Sequence, residues 1–139
     1  MLTRRDTLAL GAGAVTITLL PTVASASAEV DAAISAFTGG ASVSDGGVMI
    51  TAPEIAENGN TVPIGVEADG ATEIMLIAAG NPTPGVATFK FGDGSGSSRA
   101  ATRIRLGGTQ DVIAVAKMAD GSFAQTAVEV KVTIGGCGG

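Results

Sequence analysis

The chain has 139 residues with one cysteine, no histidine, tryptophan or tyrosine, and a formal net charge of -5. Without histidine there is no Ser-His-Asp or Cys-His arrangement and no imidazole metal ligand, and a single cysteine excludes an internal disulfide, a CxxC pair and a cysteine-rich zinc site. The acidic balance argues against nucleic acid and anionic membranes as partners. We therefore predict a protein with no catalytic residues, no metal and no cofactor.

Residues 1–28 are predicted to be a twin-arginine export signal that is removed. Arg4 and Arg5 supply the paired arginines, residues 8–20 are largely apolar, and residues 24–28 offer small-residue cleavage sites. The apolar run is shorter than the roughly 20 residues that a membrane span needs. Cleavage leaves six basic and twelve acidic residues in a periplasmic protein. An uncleaved anchor or a buried first helix is the alternative.

The helix predicted first spans residues 29–37, because Val30, Ile34 and Phe37 recur at helical spacing and two glycines follow. Beyond it the apolar residues alternate, which is typical of strands. The strands are predicted between clusters of turn-forming residues, at 48–51, 62–67, 73–78, 86–91, 102–106, 112–117 and 123–134. This order predicts a single all-β domain over residues 29–134, an antiparallel β-sandwich with a short N-terminal helix.

Turn-forming residues separate these strands. Asn58-Gly59 and Asp120-Gly121 are predicted turns, and the two prolines within residues 81–85 require a connection there, since proline cannot donate to an internal ladder. Residues 92–98 are predicted to be a mobile loop rich in glycine and serine.

The strongest functional signal is the segment "IGGCGG" at residues 134–139, where Gly135, Gly136, Gly138 and Gly139 flank Cys137. Glycine visits all backbone regions, so residues 135–139 are predicted to be a flexible arm. An ordinary thiol with a pKa near 8.5 is only a few per cent thiolate at pH 7. We therefore predict that Cys137 is a covalent attachment point acted on by partner enzymes. A frayed terminus is the alternative.

Two arginines form a weaker candidate site. Arg103 and Arg105 share one face of a predicted strand, and Arg99 lies near them in sequence. They are interpreted either as a contact for an anion or a partner, or as an ordinary solvated face.

Further residues are expected to be structural. Glu54 and Glu57 suggest paired carboxylates or a Ca²⁺ loop, but the EF-hand spacing is absent and a solvated turn is favoured. Met49 and Met75 lie within strand patterns and are predicted core residues. Residues 93–96 are rich in glycine, but no helix pattern follows them, which argues against a phosphate cradle.

Several stretches of the sequence are characteristic in combination: the twin-arginine signal, "IAENGNTVPI" at 55–64, "NPTPGVATFKF" at 81–91, "TRIRLGGTQDVIAVAKMADG" at 102–121 and "VKVTIGGCGG" at 130–139. Together they resemble the SoxY family, the sulfur-carrying subunits of the Sox thiosulfate-oxidation system. The likeness covers essentially all of the chain after the signal. It implies an immunoglobulin-like sandwich, a heterodimer with a SoxZ subunit and sulfur cargo held on Cys137. For the SoxZ interface, we expect an apolar face of the strands at 86–91 or 112–117.

The resemblance also implies a reaction sequence in which this chain is a carrier and no enzyme. The SoxAX cytochrome joins thiosulfate oxidatively to the sulfur of Cys137, and the SoxB hydrolase then releases sulfate. The SoxCD dehydrogenase, where present, oxidises the remaining sulfane sulfur before a further hydrolysis.

Two other functions stay open at this stage. A sulfur donor of the ubiquitin-like type would use a thiocarboxylate on Gly139 and would need an ATP-dependent activator. An exported structural module would instead use Cys137 for an intermolecular disulfide, with no requirement for the flanking glycines.

Overall fold

The computed structural model describes the backbone of residues 23–134 and the side chains from Ala28 onward. Within that part of the chain there are one helix and nine strands. Their bounds are α1 Val23–Thr38, β1 Val43–Asp45, β2 Met49–Thr51, β3 Ile55–Ala56, β4 Val62–Glu67, β5 Ala71–Ala78, β6 Gly85–Lys90, β7 Arg99–Ile104, β8 Gln110–Met118 and β9 Phe123–Val132.

Two sheets face one another, which confirms the predicted all-β sandwich. The larger sheet has the order β1-β9-β8-β5-β6, with β3 also paired to β9, and the smaller has the order β2-β4-β7. The prediction of purely antiparallel pairing is wrong at one edge. Both β1 and β3 run parallel to β9, on residues 123–125 and 131–132 respectively. These strands are three and two residues long, too short for alternation to reveal them in the sequence.

Alternation of side chains along the central strands builds two separate apolar clusters. Ile74 and Leu76 of β5 contribute to the core between the sheets, together with buried residues of β4 and β8. The intervening Met75 and Ile77 lie on the opposite face, where they pack with Val30 of α1. Because the larger sheet is buried on both faces, β5 reads as an almost continuous apolar run rather than as an alternating strand.

The helix is longer than predicted. It begins at Val23 instead of residue 29 and ends at Thr38, so the predicted cleavage region lies within its first two turns. Near its carboxyl end the ring of Phe37 meets Phe123 edge to face, with centroids 5.9 Å apart. Residues 1–22 lie outside the described residues, and the export signal stays a prediction.

Three expectations about strand residues need correction. The predicted strand at 102–106 is β7 at Arg99–Ile104, because its pairing with β4 extends to Arg99 opposite Glu67. Met75 is buried, but Met49 is 64% exposed because β2 is an edge strand of the smaller sheet. Strand β9 ends at Val132, two residues earlier than predicted.

The proposed surfaces for a partner subunit differ in accessibility. Strand β8 is paired with β5 on one side and with β9 on the other, so residues 112–117 offer no open edge. Their apolar side chains are also covered, by the smaller sheet on one face and α1 on the other. Strand β6 lies at the edge of the larger sheet, where Val86 is 37% exposed. Of the two expected strands, β6 is therefore the accessible one.

The predicted turns are confirmed. Strands β8 and β9 form a hairpin closed by the Ser122 carbonyl, which accepts from the Met118 amide at 2.8 Å. Gly121 has a φ of +87°, a backbone conformation that side chains other than glycine's disfavour. At the other predicted turn, the Asn58 carbonyl accepts from the Thr61 amide and the Asn58 side chain from the Asn60 amide.

Candidate functional site at the base of the carboxyl-terminal arm

The last described residues, which lead directly into the predicted arm, are held firmly on one side by the segment around β3. The amides of Lys131 and Thr133 donate to the carbonyls of Glu54 and Ala56 at 3.0 and 3.1 Å. The Thr133 hydroxyl also donates to the Glu57 carbonyl at 3.3 Å. These bonds continue the parallel pairing of β3 with β9, so the backbone is fixed to within two residues of the glycines.

The loop between β7 and β8 holds the same backbone from another direction. The Val132 amide donates to the hydroxyl oxygen of Thr109 at 2.9 Å. The Ile134 carbonyl accepts from the Gly59 amide at 2.9 Å, and the Gly59 carbonyl accepts from the Leu106 amide at 2.7 Å. Gly59 therefore bridges the base of the arm to the loop that follows β7.

A buried polar network fixes the position of that loop. Gln110 is only 8% exposed, and its side-chain amide donates to Asn81 Oδ1 at 3.0 Å and to the Gly108 carbonyl at 3.1 Å. Its Oε1 accepts from the Gly80 amide at 2.9 Å. Asn81 in turn donates to the Arg105 carbonyl at 2.7 Å. Every polar atom of the Gln110 side chain thus has a partner, as burial requires.

Sequence reasoning did not identify this network or the role of Thr109. The bonds of Gln110 to Asn81 and Gly80 span 29 and 30 positions in the chain. The available signal was a glutamine at the start of a strand whose central residues are apolar. A polar residue at a buried strand position requires a partner, but no local pattern indicates that Asn81 and Gly80 are the partners.

The three arginines separate into two locations. Arg99, at the start of β7, forms an ion pair with Glu67 at 3.2 Å. Arg103 lies at the other end of the strand, opposite Pro63, and both it and Arg105 are exposed. Because the alternation continues past the end of β7, with Ile104 and Leu106 buried, Arg103 and Arg105 share an outward face. The structure thus places these two at the end of β7 that leads into the loop before β8, and Arg99 at the opposite end of the strand.

The remaining candidates are structural where the structure describes them. Glu54 and Glu57 are exposed, and their backbones anchor β9, in agreement with a solvated turn. Residues 93–96 lie in a loop that leads into β7 and not into a helix. The part of the chain with described side chains contains no group of three or more residues suited to holding a metal ion.

One carboxyl in the described domain has a perturbed pKa. The pKa of Asp120 is lowered because its Oδ1 accepts hydrogen bonds from the Ser122 hydroxyl at 2.6 Å and from the Ser122 amide at 2.9 Å. This group belongs to the β8–β9 turn, at the opposite end of β9 from the anchored residues 131–134. No helix described here is both long and apolar enough to cross a membrane.

Cys137 and its four flanking glycines, Gly135, Gly136, Gly138 and Gly139, lie outside the described residues. Their predicted roles are therefore untested by the geometry. The structure describes the residues that precede them in the chain: the end of β9 is anchored to the segment around β3 and to the loop after β7.

A family model described as "SoxY: Sulfur oxidation protein SoxY" matches residues 34–137. A solved structure of the sulfur carrier protein SoxY from Chlorobium limicola f thiosulfatophilum is 33% identical, with a TM-score of 0.68. That match covers 78% of this chain and 99% of the Chlorobium chain. The chain matches no curated protein sequence.

More distant structures share the fold alone. Superoxide reductase (neelaredoxin) from Ignicoccus hospitalis is 16% identical with a TM-score of 0.55, covering 63% of this chain and 80% of its own. A putative superoxide reductase from Thermotoga maritima is also 16% identical, with a TM-score of 0.52, covering 69% of this chain and 89% of its own. Identities this low carry no functional inference.

Proposed function

Because this chain belongs to the SoxY family of sulfur oxidation proteins, we propose that it is a covalent carrier of sulfur intermediates, which it holds on the thiol of Cys137. The observation that carries this proposal is the extent of the family match, which reaches residue 137, the position of the only cysteine in the sequence. The anchored base of the arm supports the proposal. A rigid platform followed by glycines lets the thiol move while the body keeps its shape.

The proposed loading step uses thiosulfate. The Cys137 Sγ forms a bond to the terminal sulfur of thiosulfate, which yields a Cys–S–S–SO₃⁻ adduct and releases one proton and two electrons. A haem cytochrome of the SoxAX class accepts those electrons. Since the histidine-free chain supplies no imidazole base to activate the thiol, the partner's active site activates the reacting sulfur.

The remaining steps are hydrolytic and oxidative and take place on partner enzymes. Water cleaves the adduct to sulfate, two protons and a Cys–S–S⁻ persulfide, the work of a SoxB hydrolase. A SoxCD dehydrogenase, where present, takes six electrons from the persulfide and adds three water oxygens to give Cys–S–SO₃⁻. A second hydrolysis releases sulfate and restores the thiol. The chain in this scheme is a substrate carrier and not a catalyst.

The length of the arm suits transient docking of Cys137 in the active sites of partner enzymes. Cys137 is the third residue after Ile134, which corresponds to about 10 Å between them when the chain is extended. Ordering each of those backbones on docking costs about 1–2 kcal/mol, which favours brief encounters over tight complexes. We place the protein in the periplasm, exported through the twin-arginine route with a SoxZ subunit bound.

The test is intact-protein mass spectrometry without reductant on protein from cells grown on thiosulfate, followed by fragmentation of the peptide that contains Cys137. Sulfur- or thiosulfate-sized additions confined to Cys137 are expected. A bare thiol would refute the carrier function, and a disulfide-linked dimer without any sulfur addition would refute it and favour the structural module.

A Cys137→Ser variant distinguishes the proposed thiol carrier from the remaining alternative, a thiocarboxylate carrier. A thiol carrier loses all cargo in this variant, whereas a thiocarboxylate carrier that uses Gly139 keeps its cargo. Loss of thiosulfate oxidation with unchanged export and unchanged far-UV circular dichroism is the expected result.

A further inference from the structure

The connection between β3 and β4 contains an asparagine that is followed by a glycine. Asn58 is exposed, whereas Gly59 is buried. In such a pair the backbone nitrogen of the glycine can attack Cγ of the asparagine, because glycine has no Cβ to hinder the approach. The Cγ–Nδ2 bond then breaks, the proton of the glycine amide leaves with the ammonia, and a cyclic succinimide remains. Water opens this ring to aspartate or to isoaspartate, in which the backbone runs through Cβ and Cγ of the former asparagine.

The Asn58 side chain is prepared for this reaction by a hydrogen bond. Its Oδ1 accepts from the Asn60 amide at 3.0 Å. A donor on this oxygen withdraws electrons from Cγ and stabilises the negative charge that forms on the oxygen when Cγ is attacked. The electrophilic half of the reaction is therefore in place in the folded protein.

The nucleophile, by contrast, is held in another hydrogen bond. The Gly59 amide donates to the Ile134 carbonyl at 2.9 Å, so its nitrogen must leave that bond and lose its proton before it can attack. The Gly59 carbonyl is fixed as well, because it accepts from the Leu106 amide at 2.7 Å. While the end of β9 is attached, both polar groups of the Gly59 backbone are engaged and the reaction is blocked.

The attachment of the end of β9 depends on hydrogen bonds near the surface. The Thr133 hydroxyl donates to the Glu57 carbonyl, and the Thr109 hydroxyl oxygen accepts from the Val132 amide, both between exposed groups. Ile134 is 66% exposed, so little apolar burial holds it in place. Segments of this kind open locally more often than the whole domain unfolds. Local detachment of residues 132–134 is therefore the event that frees the Gly59 nitrogen.

We propose that Asn58 is a site of spontaneous succinimide formation that is controlled by the end of β9: the bond from Gly59 to Ile134 protects it, and local detachment of residues 132–134 exposes it. The modification reinforces itself. Isoaspartate adds a carbon to the backbone just before Gly59, which displaces the two groups that Ile134 and Leu106 contact. This inference concerns the body of the domain and does not depend on what Cys137 carries.

The experiment follows the three asparagines of the purified protein at mildly alkaline pH. Peptide mapping by mass spectrometry measures the conversion of amide to acid, and an isoaspartyl methyltransferase labels the isoaspartate. Asn60 and Asn81 are internal controls, since one precedes a threonine, whose branched side chain hinders attack, and the other a proline, which has no amide hydrogen to lose. Conversion is expected at Asn58, more slowly in the folded protein than in the same chain unfolded in urea.

Two variants loosen the end of β9 without changing the reacting residues. Thr133→Val removes the donor to Glu57, and Thr109→Val removes the acceptor for Val132. Because the rate follows the population of the detached state, each variant is expected to raise the rate at Asn58 about fivefold. This factor corresponds to the loss of one hydrogen bond of about 1 kcal/mol.

Ser98→Ala is the matched control. It removes a hydroxyl that donates to the Ala71 carbonyl at 2.7 Å, at the opposite end of β7 from the loop that contacts Gly59, and it should leave the rate at Asn58 unchanged. The inference is overturned if folded and unfolded chains convert Asn58 at the same rate, or if the threonine variants accelerate conversion no more than Ser98→Ala does. The comparison of folded with unfolded chain uses the unsubstituted protein, so it decides the matter even where a variant fails to fold.

Discussion

Replacing Thr126 by valine is expected to stabilise the domain. The Thr126 hydroxyl oxygen is buried and has no hydrogen-bond partner among the described residues. The register places Thr126 opposite Ala114, which belongs to the core between the sheets. Valine has nearly the same shape and the same branching at Cβ, so the strand geometry of β9 is kept while the unsatisfied group is removed.

The expected gain follows from the cost of burying an unpaired hydroxyl. That cost is about 1–3 kcal/mol, and partial exposure of the Thr126 residue points to the lower end, about 1 kcal/mol. For a domain of this size, 1 kcal/mol raises Tm by roughly 4–8 °C. The slope of the denaturant dependence should not change, since the surface exposed on unfolding is the same.

The assay is urea unfolding followed by far-UV circular dichroism, because the chain has no tryptophan or tyrosine for fluorescence. Thr126→Ser is the matched control: it keeps the hydroxyl and loses the methyl group, so it should lower the free energy of unfolding. If Thr126→Val proves less stable than the unsubstituted protein, the hydroxyl makes a bond that contributes to stability and the reasoning is refuted.

Two further predictions concern the turns and the loop network. Asp120→Asn should lower the free energy of unfolding at neutral pH, because it weakens the bonds from Ser122; the difference is full above the ordinary carboxyl pKa of 3.8 and vanishes as the pH falls through the lowered pKa. A difference in the free energy of unfolding between Asp120→Asn and the unsubstituted protein that stays the same at every pH would contradict this prediction. Gly80→Ala places a Cβ 2.9 Å from the Gln110 Cβ and should cost about 1–3 kcal/mol, with faster amide exchange in residues 105–109. Gly85→Ala, where an added Cβ meets nothing within 4 Å, should leave that exchange unchanged.

The sequence allowed the sandwich to be predicted because its longer strands carry their own signal. Strands β4, β5 and β8 have six to nine residues and clear apolar patterns, and the Asp120-Gly121 turn follows from glycine's backbone freedom. Strand β3 could not be predicted, since its two residues pair with β9 some 76 positions further on. Short strands of this kind are defined by their partner and not by local preference.

The candidate site could likewise be predicted only in part from the sequence. Cys137 stood out because a lone thiol among glycines is unusual in any context, and the similarity to the SoxY family covers that position. The anchors of the arm were not apparent, because Thr109, Gln110 and Gly59 act through bonds to residues distant in the chain. The two arginines were identified as a pair, but their separation from Arg99, which forms an ion pair with Glu67, depends on the register of β7 with β4.

The two short parallel strands also determine where a second polypeptide can attach. Because β1 and β3 pair with the outer edge of β9 at its two ends, the part of that edge without a strand partner is limited to residues 126–130. Longer strand addition is then possible at β6, or at β2 and β7 of the smaller sheet. A polypeptide that adds to β6 would lie at the opposite edge of the larger sheet from β1 and β3, so the hydrogen bonds that anchor the end of β9 would stay intact.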